Sequence, residues 1–187
     1  MATRYLVLLR GINVGGRNKV PMAALRELLE SLGHTRVSTY IASGNVILSS
    51  DRTAAAIERE LEEALPKAFK LDSELIAVLV LTQAQLRAVV RKRPQGFGDE
   101  PDTYNSDAVF LMGIDAAMAM KVFDPRPGVD EVWPGVGVIY SQRLSAQRTK
   151  SRLGRIVGTP AYKSLTIRSW ATTMALLERM EAPEADA

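Results

Sequence analysis

At 187 residues and 47% hydrophobic content, the chain is long and apolar enough for one large domain or two small ones, each with a core. It contains no cysteine, which excludes a disulfide, a thiol nucleophile and a thiolate-bound metal. A net charge of +3 excludes a wholly acidic or wholly basic chain, and no apolar run approaches the roughly 20 residues of a membrane-spanning helix.

Residues 5–9 are continuously apolar, the mark of a central strand covered on both faces. The run stops at Arg10, bends through Gly11, Gly15 and Gly16, and restarts at Pro21, whose fixed φ and missing N–H suit a first helical turn. Met22, Leu25, Leu28, Leu29 and Leu32 fall at helical spacing over 21–32, and Gly33 closes that helix. His34, the only histidine, has two readings: it answers the helix dipole and last carbonyls, or it is a general base. Strands are predicted over 37–42 and 46–49, joined by a tight turn at Ser43-Gly44-Asn45. A second helix over 53–69 turns Ile57, Leu61, Ala64, Leu65 and Ala68 inward and leaves Glu58, Glu60, Glu62 and Glu63 as a solvated face. A strand over 75–81 and a helix capped by Thr82 complete a β-α-β-β-α-β order, a split βαβ half over residues 1–91.

Residues 92–104 collect glycines, prolines and acids without a period and read as a linker. The pattern restarts over 105–182, with a strand at 107–112 and a short helix at 116–123. A hairpin of 131–133 and 136–140 across Pro134-Gly135 follows, then helices at 149–157 and 167–180. This half echoes the first but is shorter, with a helix where the fourth strand would stand, and 183–187 form a frayed acidic tail. The expected fold class is α+β: duplicated ferredoxin-like halves with an antiparallel sheet in each and an extra C-terminal helix.

Three stretches, LLRGINVGG at 8–16, YIASGNVIL at 40–48 and TIRSWATT at 166–173, resemble the signatures of a bacterial family known only as a domain of unknown function. The resemblance spans nearly the whole chain and implies a duplicated α+β fold without implying an activity. Ser169 and Ala171 stand where that family's late signature usually has asparagines.

The glycine spacing from Gly11 to Asn18 imitates a Walker A loop, but Arg17 and Asn18 occupy the positions of its lysine and hydroxyl, and the helix begins too late. Two readings remain: an anion-binding nest, or a tight connection whose glycines only supply positive φ. In a split βαβ half the third strand lies antiparallel beside the first, so Ser43, Gly44 and Asn45 should adjoin Arg10, Gly11 and Asn13. Those donors suit a phosphate, carboxylate or nucleic-acid backbone, while Asn13 and Asn45 equally suit bonds to neighbouring backbone.

Charge is unevenly spread. Residues 1–26 hold Arg4, Arg10, Arg17, Lys19 and Arg26, residues 142–168 hold Arg143, Arg148, Lys150, Arg152, Arg155, Lys163 and Arg168, and neither segment has an acid. Such segments either form a positive surface for phosphate-bearing ligands or scatter over separate faces. At the second segment, Lys150 and Ser151 lie where a helix is expected to open toward an anion, and Trp170 either stacks on a base or packs in the core. The candidate ligand-binding set is Arg10, Gly11, Asn13, Gly15, Gly16, Arg17, Lys19, Ser43, Asn45, Lys150, Ser151, Arg168 and Trp170.

No histidine pair, Glu-x-x-His helix or G-x-S-x-G elbow occurs, so no catalytic residue, metal or cofactor is assigned. The first reading is a cytoplasmic protein, without signal-peptide features or a membrane partner, that binds a nucleotide, phosphate or nucleic-acid backbone. The alternatives are an enzyme of phosphoryl- or acyl-transfer type using Arg10, Arg17 and Lys150 as electrostatic stabilisers, and an interaction module with no small ligand. Oligomeric state is open at this stage.

Overall fold

The continuous apolar run at the N-terminus folds as β1 (Thr3–Arg10), with Leu6, Val7, Leu8 and Leu9 all buried because both faces of its sheet are covered. The computed structural model describes residues 2–71 and 76–183. These divide into two units, the first drawn from residues up to Leu86 together with those from Leu176 onward, the second from Arg87–Ala175.

In the first unit, β3 (Asn45–Ser50) runs antiparallel to β1, with Leu8 opposite Asn45 and Thr3 opposite Ser50. On the other side β4 (Ala77–Thr82) pairs antiparallel, with Tyr5 opposite Thr82 and Arg10 opposite Ala77. The edge strand β2 (Thr35–Tyr40) has a bulge between Thr35 and Ser38, and the order β2-β3-β1-β4 is that of a split βαβ fold. Tyr5, Val7 and Leu9 project from one face of β1 onto Leu25 and Leu29 of α1 (Met22–Ser31) and Ile57, Leu61 and Leu65 of α2 (Ala54–Ala68).

The helix ends follow local chemistry. Gly33, at φ 88, donates to Glu30 O at 3.0 Å while the His34 N–H reaches Leu29 O at 3.2 Å, a paired closure that needs a left-handed residue after the helix. At α3 (Gln83–Arg91), Thr82 N–H donates to Gln85 Oε1 at 2.8 Å and Gln85 N–H donates to Thr82 Oγ1 at 3.2 Å, a reciprocal cap. Glu62 and Glu63 are exposed as expected, but two carboxylates of α2 do more than face solvent. Glu62 and Glu58 accept the Val78 and Val80 N–H groups at 3.0 and 2.9 Å, satisfying the outer edge of β4.

The second unit repeats that strand order with four further strands, all antiparallel. β5 (Tyr104–Leu111) lies between β7 (Val138–Leu144) and β8 (Leu165–Ser169), with β6 (Asp130–Pro134) at the edge. Four sequence expectations are corrected here. The helix over 149–157 is instead a series of three 3₁₀ turns, Ser145–Lys150, Leu153–Gly158 and Pro160–Ser164, because Gly154, Gly158 and Pro160 weaken any longer helix. The helix over 167–180 gives up its first turn to β8, so a fourth strand is present. Ser169 then caps α5 (Trp170–Glu181) by accepting the Thr172 N–H at 3.2 Å. The hairpin reverses beyond Pro134, at Gly135–Gly137, since Pro134 still pairs with Ile139. The short helix α4 (Ala116–Met120) stops early and is capped by Asp115, which accepts the Met118 N–H at 2.7 Å.

The centre of the second unit is aromatic. Phe97 packs edge-on against Trp133, Tyr140 and Trp170 at 5.9, 5.2 and 5.1 Å, and the buried Tyr140 hydroxyl donates to Val89 O at 2.7 Å. Burial pushes the Tyr140 pKa up to about 12. In the first unit, Arg4 donates to the carbonyls of Arg179 and Ala182 at 2.9 and 3.1 Å, closing the C-terminal end of α5 with a cation. Leu75, the expected start of the fourth strand, and residues 184–187 of the expected tail lie outside the described residues. Among the described residues no helix is long and apolar enough to cross a membrane.

Candidate functional site

The loop that follows β1 is built around its asparagines. Asn13 Nδ2 donates to Val20 O and Ala42 O, both at 3.0 Å, and its Oδ1 accepts the Val20 N–H at 2.8 Å. Asn18 is buried and its Nδ2 donates to Gly11 O at 2.7 Å, while Asn13 N–H donates to Asn18 O at 2.9 Å. Between these clamps Val14 and Arg17 form a one-bridge ladder, reversed over Gly15 and Gly16 at φ 57 and 78. Two consecutive positive φ values make this a two-residue hairpin turn, which explains why glycine stands at both positions.

The second loop adjoins the first. Leu9 N–H donates to Gly44 O at 2.8 Å, and the Asn13–Ala42 bond joins the two turns one residue from Val14 and from Ile41. Asn45 is fully buried and gives its Nδ2 to Tyr40 O and Ser43 Oγ at 3.0 and 2.8 Å. Asn13 and Asn45 thus both spend their amides on shaping the two loops.

Arg10 ends β1 half-buried, Ser43 is exposed, and Arg17, Lys19, Gly15 and Gly16 are exposed on the hairpin. The side chains of Arg17 and Lys19 have no hydrogen-bond or ion-pair partner among the described residues. Arg10, Gly11, Asn13, Gly15, Gly16, Arg17, Lys19, Ser43 and Asn45 are therefore brought to one end of the first sheet.

The other candidates belong to the second unit and are not gathered into one group there. Lys150 is exposed with Nζ 3.5 Å from Gln147 Oε1. Ser151 accepts the Leu153 N–H at 3.3 Å. Arg168 is buried in β8, donating to Thr166 Oγ1 and Ile167 O at 3.0 and 2.8 Å, and burial lowers its pKa to about 10. Trp170 is in the aromatic core rather than at the surface, its ring 5.9 Å from the Arg93 guanidinium. Several basic side chains of 142–168 are already paired: Arg152 and Arg155 with Asp124, and Arg143 with Asp107 at 3.6 Å.

Three features escaped sequence reasoning. Val14 and Ile41 are exposed apolar residues flanking the same joint, 65% and 53% accessible. Asp130 is buried and its Oδ2 accepts the Arg126 and Arg152 N–H groups at 3.0 and 2.8 Å. Burial raises its pKa, but these bonds, the Ser151 hydroxyl and the Arg143 charge outweigh burial and hold the carboxyl below its ordinary value. The third is His34, whose ring does not answer helix carbonyls as expected: it is buried with Nε2 3.1 Å from Glu60 Oε2, and Glu60 in turn pairs with Arg52. Burial and the Arg52 charge lower its pKa against the opposing pull of Glu60. Sequence analysis singled out His34 but not its partner, and all three features depend on contacts across elements.

Residues 2–140 match the family described as Protein of unknown function (DUF1697), and the chain belongs to that family. Its fold is similar to that of the conserved bacterial protein SP0830 from Streptococcus pneumoniae, with a TM-score of 0.82 over 97% of this chain and 100% of the other at 24% identity. No curated protein matches the chain.

Proposed function

We propose that this member of a family without an assigned activity is a binding module whose paired loops at the end of β1 take a phosphate-bearing ligand, either a nucleotide, a phosphate or a nucleic-acid backbone. The observation that carries the reading is a division of labour within the hairpin. Asn13 and Asn18 are consumed in holding its shape, while Arg17 and Lys19 stay exposed and unpartnered among the described residues beside the exposed turn glycines. A rigid backbone that presents cations lowers the ordering cost of binding an anion. Guanidinium and ammonium groups then supply charge-assisted hydrogen bonds to phosphate oxygens. Lys150 and the other exposed cations of the basic C-terminal segment raise the chain's general attraction for polyanions. In this reading the protein works in the cytoplasm without a membrane partner, metal or cofactor.

The experiment is thermal denaturation at low salt with inorganic phosphate, nucleotides and oligonucleotides, since a ligand of the native state raises the apparent melting temperature. The double variant Arg17→Ala/Lys19→Ala should abolish the shift and leave the melting temperature of the free protein unchanged. Absence of a shift with every probe would overturn the reading.

A further inference from the structure

We propose that the phosphate-bearing ligand is an unpaired nucleic-acid strand, its phosphates on Arg17 and Lys19 and its base faces against Val14 and Ile41. The inference rests on the phosphate reading of the same loops and adds the ligand's second chemistry. Single exposed aliphatic residues need no explanation, but here two β-branched ones flank one joint, held together by the 3.0 Å bond from Asn13 to Ala42 O. Ile41 also sits at φ 49, a left-handed conformation that a β-branched side chain resists and that Asn or Gly adopts readily. The chain uses Gly and Asn at the neighbouring Gly44 and Asn18 positions of positive φ, so an isoleucine at 41 is costly both in backbone and in exposure. Such a cost, held in place by the surrounding bonds, is the mark of a contact residue rather than a folding residue.

The surroundings choose the partner. Residues 1–26 and 35–50 contain no acid, so a polyanion meets no repulsion along either loop. The corresponding turn of the second unit exposes Val136 at 84%, yet residues 127–138 hold two acids and no base, so apolar exposure and positive charge do not coincide at that turn. A duplex hides its base faces in the stack, whereas an unpaired strand offers apolar faces between regularly spaced phosphates. A lipid surface fits less well. Val14 and Ile41 together offer about seven side-chain carbons, roughly half a myristoyl chain, which is itself a marginal anchor.

The test is fluorescence anisotropy with a labelled single-stranded oligonucleotide, its duplex form, linear polyphosphate as competitor, and phosphatidylserine-containing vesicles. The single strand should bind more tightly than the duplex and resist polyphosphate. Ile41→Asn and Val14→Ser should each weaken the single strand by roughly tenfold while leaving polyphosphate binding unchanged. Ile41→Asn should also leave the melting temperature equal or higher; if it falls, Val14→Ser decides alone. Variants without effect, or a single strand bound no better than polyphosphate, would overturn the base-face contact and leave the phosphate reading standing. Binding to vesicles alone would replace the proposal with a lipid surface, and binding to none of the probes would overturn both readings.

Discussion

Gly44 and Gly137 occupy matching places in the two units, each closing a hairpin whose carbonyl receives the N–H of a leucine on the central strand. Leu9 donates to Gly44 O at 2.8 Å and Leu111 to Gly137 O at 3.0 Å, with φ of 76 and 72 at the two glycines. Their surroundings differ. A Cβ at 44 would stand 2.8 Å from the Leu9 Cβ, whereas one at 137 would meet nothing within 4 Å. The crossovers differ further: the first unit spans its sheet with α2, whose Glu58 and Glu62 bond the edge of β4, and the second uses three 3₁₀ turns, with Asp130 bonding the Arg152 N–H between the first two. One strand order is thus compatible with two kinds of crossover, because the antiparallel ladder sets the order and the crossover has only to span and cover it.

The largest effect expected from a single change is Gly98→Ala in the second unit. A Cβ there would lie 2.2 Å from Trp170 Cδ1, and φ is 77, so overpacking and backbone strain together should cost about 3 kcal/mol. Both tryptophans, Trp133 and Trp170, belong to that unit, so urea unfolding followed by tryptophan fluorescence reads it directly. An unchanged midpoint would mean that the indole moves freely and that the aromatic centre is not what organises the unit.

Gly44→Ala and Gly137→Ala separate the two turns. The first should lose about 2 kcal/mol, from strain plus the clash with Leu9, and the second about 1 kcal/mol, from strain alone. Equal losses in urea midpoint would show that the two turns are packed alike.

Asp130→Asn should destabilise the second unit by about 1–2 kcal/mol, since the N–H bonds lose their ionic acceptor. Asp130 titrates below its ordinary value in the folded chain. Its contribution is therefore present above the unfolded pKa near 3.8 and is lost as pH falls through the folded value. Acid titration followed by tryptophan fluorescence should show a shallower transition in the variant, and identical curves would remove Asp130 from the account.

The smallest effect is the pH response of the first unit. The His34 pKa is lowered in the folded chain, so the unfolded chain binds more protons below 6.5, and stability should decline as pH falls from 6.5 toward the folded value. The slope is at most about 1.4 kcal/mol per pH unit, and His34→Gln should remove it. Stability that rises on acidification across that window would mean that Glu60 outweighs burial.

Much of this architecture is legible without coordinates. The uninterrupted apolar run at β1, the helical spacing of α1 and α2, the glycine after α1 and the Ser-Gly-Asn turn are all local patterns, because period, capping and turn angle are set by residues a few positions apart. The adjacency of the two loops also follows, since a split βαβ order makes β1 and β3 neighbours. What only the tertiary structure decides is anything settled by a distant partner. Residues 167–169 have the composition of either a helix start or a strand, and pairing with β5 selects the strand. Glu58 and Glu62 read as solvated until the edge of β4 supplies N–H groups, and His34 reads as a cap until Glu60 comes beside it. Asn13 reads as a ligand donor or as scaffolding with equal force, and its amide goes to Val20 and to Ala42, 29 residues away, because a buried or shared carbonyl is satisfied by whatever donor the meeting of the two turns brings.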